Sequence, residues 1–433
     1  MKNAVVDTPH WIAADKEHCW HPFTRQAEWE ASDPLVLVSG EGVWLEDSEG
    51  KKYIDGNASI WTNIHGHNHP VINQAITEQL EKVAHTSYLG FANPRASELA
   101  ERLVGFFSET DLQRVFFSDD GSTAVECAVK MAVQYRMQVD DPGRTHFIAF
   151  DRSYHGDTAG AASLGGVGAF VERFRKFGYP VTHVADLEAL YALDVSVVSQ
   201  TAAIIIEPLV QGVNEIHVWP NGMLRELRQW CDTHHVHLIL DEVMTGFGRT
   251  GTMFACQQEQ VVPDFLCLAK GLTGGYMPLA ATMVTESIYE AFSGTGDKAF
   301  YYGHSYTANQ LGCAAALANL RVFEQEETLA HLPEKISMLR HRLAELAGRY
   351  EQIYEVRQCG MIAGVELREA SGEKFSPECR VGEAVSLVAR DYGLLTRPIL
   401  DTLVIMPPLF ICLAEIEQMC DALDHALGSF LDH

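Results

Sequence analysis

The chain has 433 residues, beyond the size at which one hydrophobic core usually stops growing, so two domains are expected. Its 58 acidic against 32 basic residues give a formal charge of −26, which opposes a sequence-independent grip on nucleic acid and disfavours anionic membrane surfaces. Ten cysteines without a CxxC pair read as reduced thiols rather than a disulfide framework, and neither an apolar leader nor a run of about 18 apolar residues occurs, so a soluble cytoplasmic protein is expected.

In chain order, VLVSGEGVWLEDSEGKKYID (36–55) predicts a hairpin or meander with Gly and Asp turns. His65, His67 and His69 invite a metal reading, but no fourth ligand is placed, and the surrounding Gly, Asn and Pro residues read as a turn. From about 65 to 325, strand-like runs alternate with helical patterns: RVFFS (114–118), FIAF (147–150), AAIIIEP (202–208), the runs before Asp241 and Lys270, and ATMVT (281–285). That alternation predicts an α/β fold, a parallel sheet covered by helices. After 325, the amphipathic LPEKISMLRHRLAELAGRY gives way to the strand-like GMIAGVEL and LVIMPPL. The division expected is a large domain over 65–325 and a smaller α+β domain that joins 1–64 to 326–433. No internal repeat, low-complexity tract or flexible linker separates them.

Several short constellations carry chemistry. Asp119-Asp120-Gly121-Ser122-Thr123 follows a strand run and precedes the helical AVECAVKMAVQY. A Gly-Ser turn there either offers backbone N–H groups and a hydroxyl to a phosphate or serves as an ordinary helix cap through Ser122 or Thr123. Tyr154, in DRSYHGDT, either stacks on a flat cofactor ring, with His155 and Asp157 bracing the loop, or packs on the core. Glu207 ends an apolar run and is expected to be a buried, partnered carboxylate that orients its neighbours. Asp241 in HLILDEVMTGFGRTG and Lys270 in LCLAKGLTGG each follow a short apolar run. Such runs fit buried parallel strands, whose C-terminal ends form the ligand crevice of open α/β folds. A lysine amine forms a Schiff base with the aldehyde of pyridoxal phosphate, and a carboxylate beside the ring nitrogen keeps that nitrogen protonated. The pair therefore points to a pyridoxal phosphate site. Gly246 to Gly251 satisfies GxGxxG, but no long helical pattern follows, as a dinucleotide fingerprint requires. Arg397, in GLLTRPILDTLVIMPP, either forks a substrate carboxylate or makes a surface salt bridge.

These pieces, in this order, from His21-Pro22-Phe23-Thr24 to Met406-Pro407-Pro408, resemble the class III aminotransferases of pyridoxal phosphate fold type I over nearly the whole chain. The resemblance implies a large domain with a mostly parallel sheet, a small α+β domain, and a homodimer with shared active sites. It makes Lys270 the Schiff-base lysine, Asp241 the ring-nitrogen partner and Tyr154 the stacking ring, with Glu207 beside the cofactor. Gly121 and Ser122 would cradle the phosphate, completed by His304 and Ser305 supplied by the second subunit. Within the class, IWTNIHGHNHP, SYHGDT, DEVMTGFGRTG, KGLTGG, GHSYTANQLGCA and LLTRP are most similar to the branch that aminates the ketone of 8-amino-7-oxononanoate in biotin biosynthesis. Arg397 would then bind the substrate carboxylate, and Trp61 and Gly303 would line the substrate tunnel, with Phe23 on the same side. Members of the branch that draw their amino group from S-adenosylmethionine usually show HPYT and SSWW, where this chain reads HPFT and Ala58-Ser59-Ile60-Trp61. Losing a phenol and an indole face removes a platform for a sulfonium cation, so L-lysine is the donor expected. An ω-amino acid:pyruvate aminotransferase would share every cofactor residue. A pyridoxal phosphate-sensing regulator would need a basic helix-turn-helix, and the first 60 residues contain none.

Overall fold

The computed structural model describes residues 7–431. The predicted meander is present as β1 (Leu37–Glu41), β2 (Trp44–Asp47) and β3 (Lys52–Asp55), paired antiparallel in sequence order. Asp47 closes its second turn, accepting from the amides of Glu49 and Lys51, each at 2.9 Å. The chain then builds β4 (Leu112–Ser118), β5 (His146–Phe150), β6 (Val181–Val184) and β7 (Thr201–Ile206). A short hairpin of β8 (Val210–Gln211) and β9 (His217–Val218) follows, then β10 (His237–Asp241), β11 (Phe265–Leu268) and β12 (Ala280–Thr285).

Seven of these strands form one sheet in the order β4-β12-β11-β10-β7-β5-β6. Only β12 is reversed, running antiparallel to both of its neighbours. The runs read as continuously apolar because both faces are covered. Ile204, Ile206, Leu238 and Leu240 join one core with helices Pro94–Gly105, Met223–His234 and Gln310–Gln325, whereas Ala203, Ile205 and Ile239 face helix Gly121–Gln138 on the other side. The strand period of two assigns alternate residues to the two cores.

Beyond helix Thr328–Arg349 come β13 (Ile353–Cys359), β14 (Ile362–Leu367), β15 (Leu394–Leu395), β16 (Arg397–Ile399) and β17 (Thr402–Ile405). Four of them form an antiparallel sheet, β13-β14-β17-β16, while β15 pairs in parallel with β3. The opening meander thus takes its fourth strand from the far end of the chain. The architecture is mixed α/β with a large, mostly parallel sheet, as the sequence predicts. All ten cysteines are free thiols, and no described helix is long and apolar enough to cross a membrane.

Candidate active site

Because β12 is reversed against both neighbours, β4 runs in the same sense as β5, β7, β10 and β11. Their C-terminal ends deliver Asp119 to Ser122, Tyr154 and His155, Glu207, Asp241 and Lys270 to one rim. There they line a cavity of about 480 Å³, where open α/β sheets place ligands.

Asp241, the last residue of β10, is buried. Its Oδ2 lies 2.8 Å from His155 Nδ1, and its Oδ1 accepts from the Val243 amide at 3.1 Å. The other nitrogen of the buried His155 ring, Nε2, has no partner among the described residues. Glu207 bridges two loops: Oε1 accepts from the Tyr154 amide at 3.1 Å and Oε2 from the Gly212 amide at 2.9 Å. Burial pushes its carboxyl up to about 7, with His155 pulling it down and Asp241 pushing it up. Lys270 is half-buried at the cavity wall, and loss of water around its amine lowers its pKa against the opposing pull of Asp241 and Glu207. The amine stands 4.8 Å from the centre of the Trp61 ring. A lysine so placed is biased towards the neutral, nucleophilic form.

Helix Gly121–Gln138 begins at the cavity. Asp120 caps it, its Oδ1 accepting from the Thr123 amide at 3.0 Å while Thr123 Oγ1 accepts from the Asp120 amide at 3.1 Å. This corrects the alternative in which Ser122 or Thr123 is the cap, and it leaves Ser122 for other work. Ser122 Oγ accepts from the Asp157 amide at 3.2 Å, and Tyr154 Oη donates to Asp157 Oδ2 at 2.5 Å. Helix geometry leaves the Gly121 and Ser122 amides without partners in the helix, which suits an anion. The approach is tight: a Cβ on Gly121 would lie 2.7 Å from Val243 Cγ1. The Asp241 carboxylate backed by His155, a desolvated amine and a helix N-terminus on one cavity fit the pyridine, aldehyde and phosphate ends of pyridoxal phosphate.

The other predicted residues are spread around and beyond the cavity. Trp61 lines the cavity, but Phe23 is exposed and reaches Tyr154 only through Phe170, by edge contacts at 5.4 and 5.9 Å. His304 Nδ1 lies 3.3 Å from Asp119 Oδ2 of the same chain at the cavity rim. Gly303 and Ser305 are exposed, and the Ser305 carbonyl lies 2.6 Å from His85 Nε2. Arg397 opens β16, just before β17, and is exposed and outside the cavity. The three histidines separate: His67 meets Asp55 and His69 meets Glu326, each at 2.9 Å, while both nitrogens of the buried His65 ring have no partner among the described residues. Among the described residues no cluster could hold a metal ion. Sequence reasoning missed Val243, Met244 and the run Tyr276 to Leu279 on the cavity wall. Val243 and Met244 lie in the turn that follows β10, and the run Tyr276 to Leu279 lies outside helices and strands, so neither carried a periodic signal.

Comparison with known proteins agrees with this geometry. The family model described as aminotransferase class-III matches residues 26–427. Adenosylmethionine-8-amino-7-oxononanoate aminotransferase of Geobacter sulfurreducens is 45% identical, covering 95% of this chain and 96% of the relative. Its namesake in Nitratidesulfovibrio vulgaris is 43% identical, covering 99% and 84%. The crystal structure of the Methanocaldococcus jannaschii protein of that name superposes with a TM-score of 0.95 at 38% identity, covering 98% of this chain and 100% of that one. An (S)-enantioselective omega-transaminase from Thermomicrobium roseum superposes at 0.94 and 33%, covering 99% and 100%. An amine transaminase from an uncultivated Pseudomonas species, solved with pyridoxal phosphate bound, superposes at 0.91 and 33%, covering 95% and 99%. Two independent lines, the cavity built by Lys270 and Asp241 and a family match across nearly the whole chain, converge: this chain belongs to the class-III aminotransferases, which are pyridoxal phosphate-dependent enzymes.

Proposed function

We propose that this aminotransferase aminates the ketone of 8-amino-7-oxononanoate to give 7,8-diaminononanoate in biotin biosynthesis, acting in the cytoplasm as a homodimer. The observation that carries the chemistry is the convergence of the Lys270 amine and the Asp241–His155 pair on one cavity under the start of helix Gly121–Gln138. The substrate follows the relatives of that activity, which match nearly end to end. Gly121 and Ser122 would hold the phosphate, Asp241 would face the ring nitrogen and Tyr154 the ring, and Glu207 would fix the Tyr154 and Gly212 loops. His304 and Ser305 would act on the site of a second subunit, while Arg397 would take the substrate carboxylate near Phe23, Trp61 and Gly303. When bound, pyridoxal phosphate supplies an aldehyde that accepts the donor's amino group and a ring that accepts the electron pair left on the substrate carbon. Asp241, oriented by His155, would hold a proton at the ring nitrogen. The desolvated Lys270 amine removes a proton from the carbon that bears the amino group and later returns one, as a base poised by burial. The walls formed by Trp61, Met244 and Tyr154 exclude water from that transfer.

Two observations pull apart on the donor. Phe23 and Ile60 favour L-lysine, whereas the relatives carry adenosylmethionine in their names. The superposition on an omega-transaminase favours a second reading, another class III aminotransferase, for which pyruvate is the acceptor to test. Stopped-flow absorbance of the loaded enzyme after mixing with L-lysine or S-adenosylmethionine decides the donor, and product analysis with 8-amino-7-oxononanoate or pyruvate decides the acceptor. We expect bleaching by L-lysine and amination of the oxononanoate. Bleaching by the sulfonium donor alone overturns the lysine assignment, and turnover of pyruvate alone overturns the biotin assignment. The variant Lys270→Ala should fold yet lose at least about a hundredfold in turnover; near-normal activity would sink the base assignment.

A further inference from the structure

Residues 58–61 form one turn of left-handed helix. φ is 44°, 49°, 62° and 69° at Ala58, Ser59, Ile60 and Trp61, none of them glycine. The amides of Trp61 and Thr62 bond four residues back, to the carbonyls of Asn57 and Ala58, each at 2.9 Å. Left-handed backbone crowds Cβ against the next carbonyl, and a β-branched residue such as Ile60 tolerates it worst. Four such residues in succession persist only where surrounding contacts over-determine them.

Those contacts centre on Asp55, a buried carboxylate at the end of β3. Its Oδ1 accepts from the Ser59 amide at 3.0 Å and its Oδ2 from the Ser59 hydroxyl at 2.8 Å. The same Oδ2 lies 2.9 Å from His67 Nε2, and His67 Nδ1 is held 3.2 Å from Asn63 Nδ2. At the other end, Asn57 Oδ1 accepts from the Trp61 indole Nε1 at 2.7 Å. The turn exposes Ser59 and Ile60 and drives Trp61 inward over the Lys270 amine. There the indole lies so close to Gly212 that a Cβ on that glycine would meet ring carbon Cζ3 at 3.0 Å. Opposite handedness would send the residue 61 side chain elsewhere, since Cβ directions follow the sense of the helix.

We propose that Asp55 is a positioning residue for transamination: by holding the left-handed turn of residues 58–61, it aims Trp61 across the Lys270 amine and so sets the wall against which the reacting carbon of the substrate packs. The proposal rests on the reading of this cavity as the transaminase site. Asp55 touches neither Lys270 nor the cavity and acts through the turn.

Three variants test it: Asp55→Ala, Asp55→Asn, and Asp55→Ala combined with Ser59→Gly and Ile60→Gly. In Asp55→Ala, KM for 8-amino-7-oxononanoate should rise at least about tenfold while kcat changes less than about threefold, the signature of lost substrate positioning. In pyridoxal phosphate-free protein, amide hydrogen exchange over residues 57–63 should quicken at least about tenfold while β10 exchanges as in the parent. Glycine accepts a left-handed backbone without a Cβ clash, so the triple variant should recover much of the KM. Unchanged KM overturns the proposal whatever the exchange shows. So does a KM loss that the glycines leave untouched, because Asp55 would then act by another route. If Asp55→Ala fails to fold, Asp55→Asn, which keeps one acceptor for the Ser59 amide, carries the same measurements alone and with the glycines. Exchange needs no substrate, so a parent protein that aminates only pyruvate sinks the substrate reading without touching Asp55, and the KM comparison is then made with pyruvate.

Discussion

Lys270 shows how burial prepares one residue for chemistry at a cost in stability. Its pKa in the folded protein lies below the ordinary lysine value of 10.5, chiefly through desolvation. Between the folded value and 10.5 the unfolded chain therefore binds more protons than the folded one, and stability rises with pH across that window. The penalty is complete below the folded value and absent above 10.5. Lys270→Met keeps the length and removes the charge. In pyridoxal phosphate-free protein this variant should be more stable than the parent at neutral pH, and its advantage should shrink as pH climbs towards 10.5. Urea midpoints measured across that interval give the answer, and a gap that does not change with pH would mean that the lysine is not desolvated. The same measurement bears on mechanism, because an amine that is cheap to deprotonate is the one suited to act as a base.

The elements around the site depend on one close approach, between the loop after β5 and the start of helix Gly121–Gln138. Gly156 has φ of 115°, and a Cβ there would lie 2.2 Å from Ser122 Oγ and 2.8 Å from Ser122 Cα. Gly156→Ala should push the Tyr154 loop off the helix, costing about 1–3 kcal/mol of stability and weakening pyridoxal phosphate at least about tenfold. Gly105→Ala is the control: open space surrounds its Cβ position at the end of a helix, and it should gain roughly 0.5–1 kcal/mol. Thermal melts and cofactor titrations compare the two, and wild-type cofactor affinity in Gly156→Ala would show that the loop does not depend on this contact. The positions of Asp241, Glu207 and Lys270 at strand ends were legible because β7, β10 and β11 are buried on both faces, so composition alone marks them. The turn at 58–61 was not legible. Nothing in Ala-Ser-Ile-Trp favours left-handed backbone, and its conformation is imposed by Asp55 and, through it, His67 across the turn. The cap at Asp120 was missed for a simpler reason: Asp120, Ser122 and Thr123 are all capping types, and only geometry chooses among them.

At the scale of the whole molecule, a net charge of −26 sets two copies of this chain against each other, so a homodimer must be held by apolar area. The surface offers such area beside the cavity rim. Leu89, Phe91, Tyr301 and Tyr306 are 79%, 70%, 84% and 58% exposed. The segments that carry them are fastened together, with His85 Nε2 at 2.6 Å from the Ser305 carbonyl and Asn93 Nδ2 donating to the Ala308 carbonyl at 3.1 Å. His304, next to Ser305, already reaches the rim through Asp119. Sedimentation should therefore give about twice the chain mass of 48.0 kDa. Salt discriminates between the forces: screening relieves the repulsion and leaves apolar contact intact, so the dimer should tighten as sodium chloride rises, whereas one held by ion pairs would loosen. Leu89→Glu with Phe91→Glu adds charge where apolar area is needed and should yield monomers that lose pyridoxal phosphate on dialysis. A parent protein that sediments at the mass of one chain would overturn both the dimer and the assignment of His304 and Ser305 to a shared site. A glutamate variant that remains dimeric would move the interface elsewhere on the molecule.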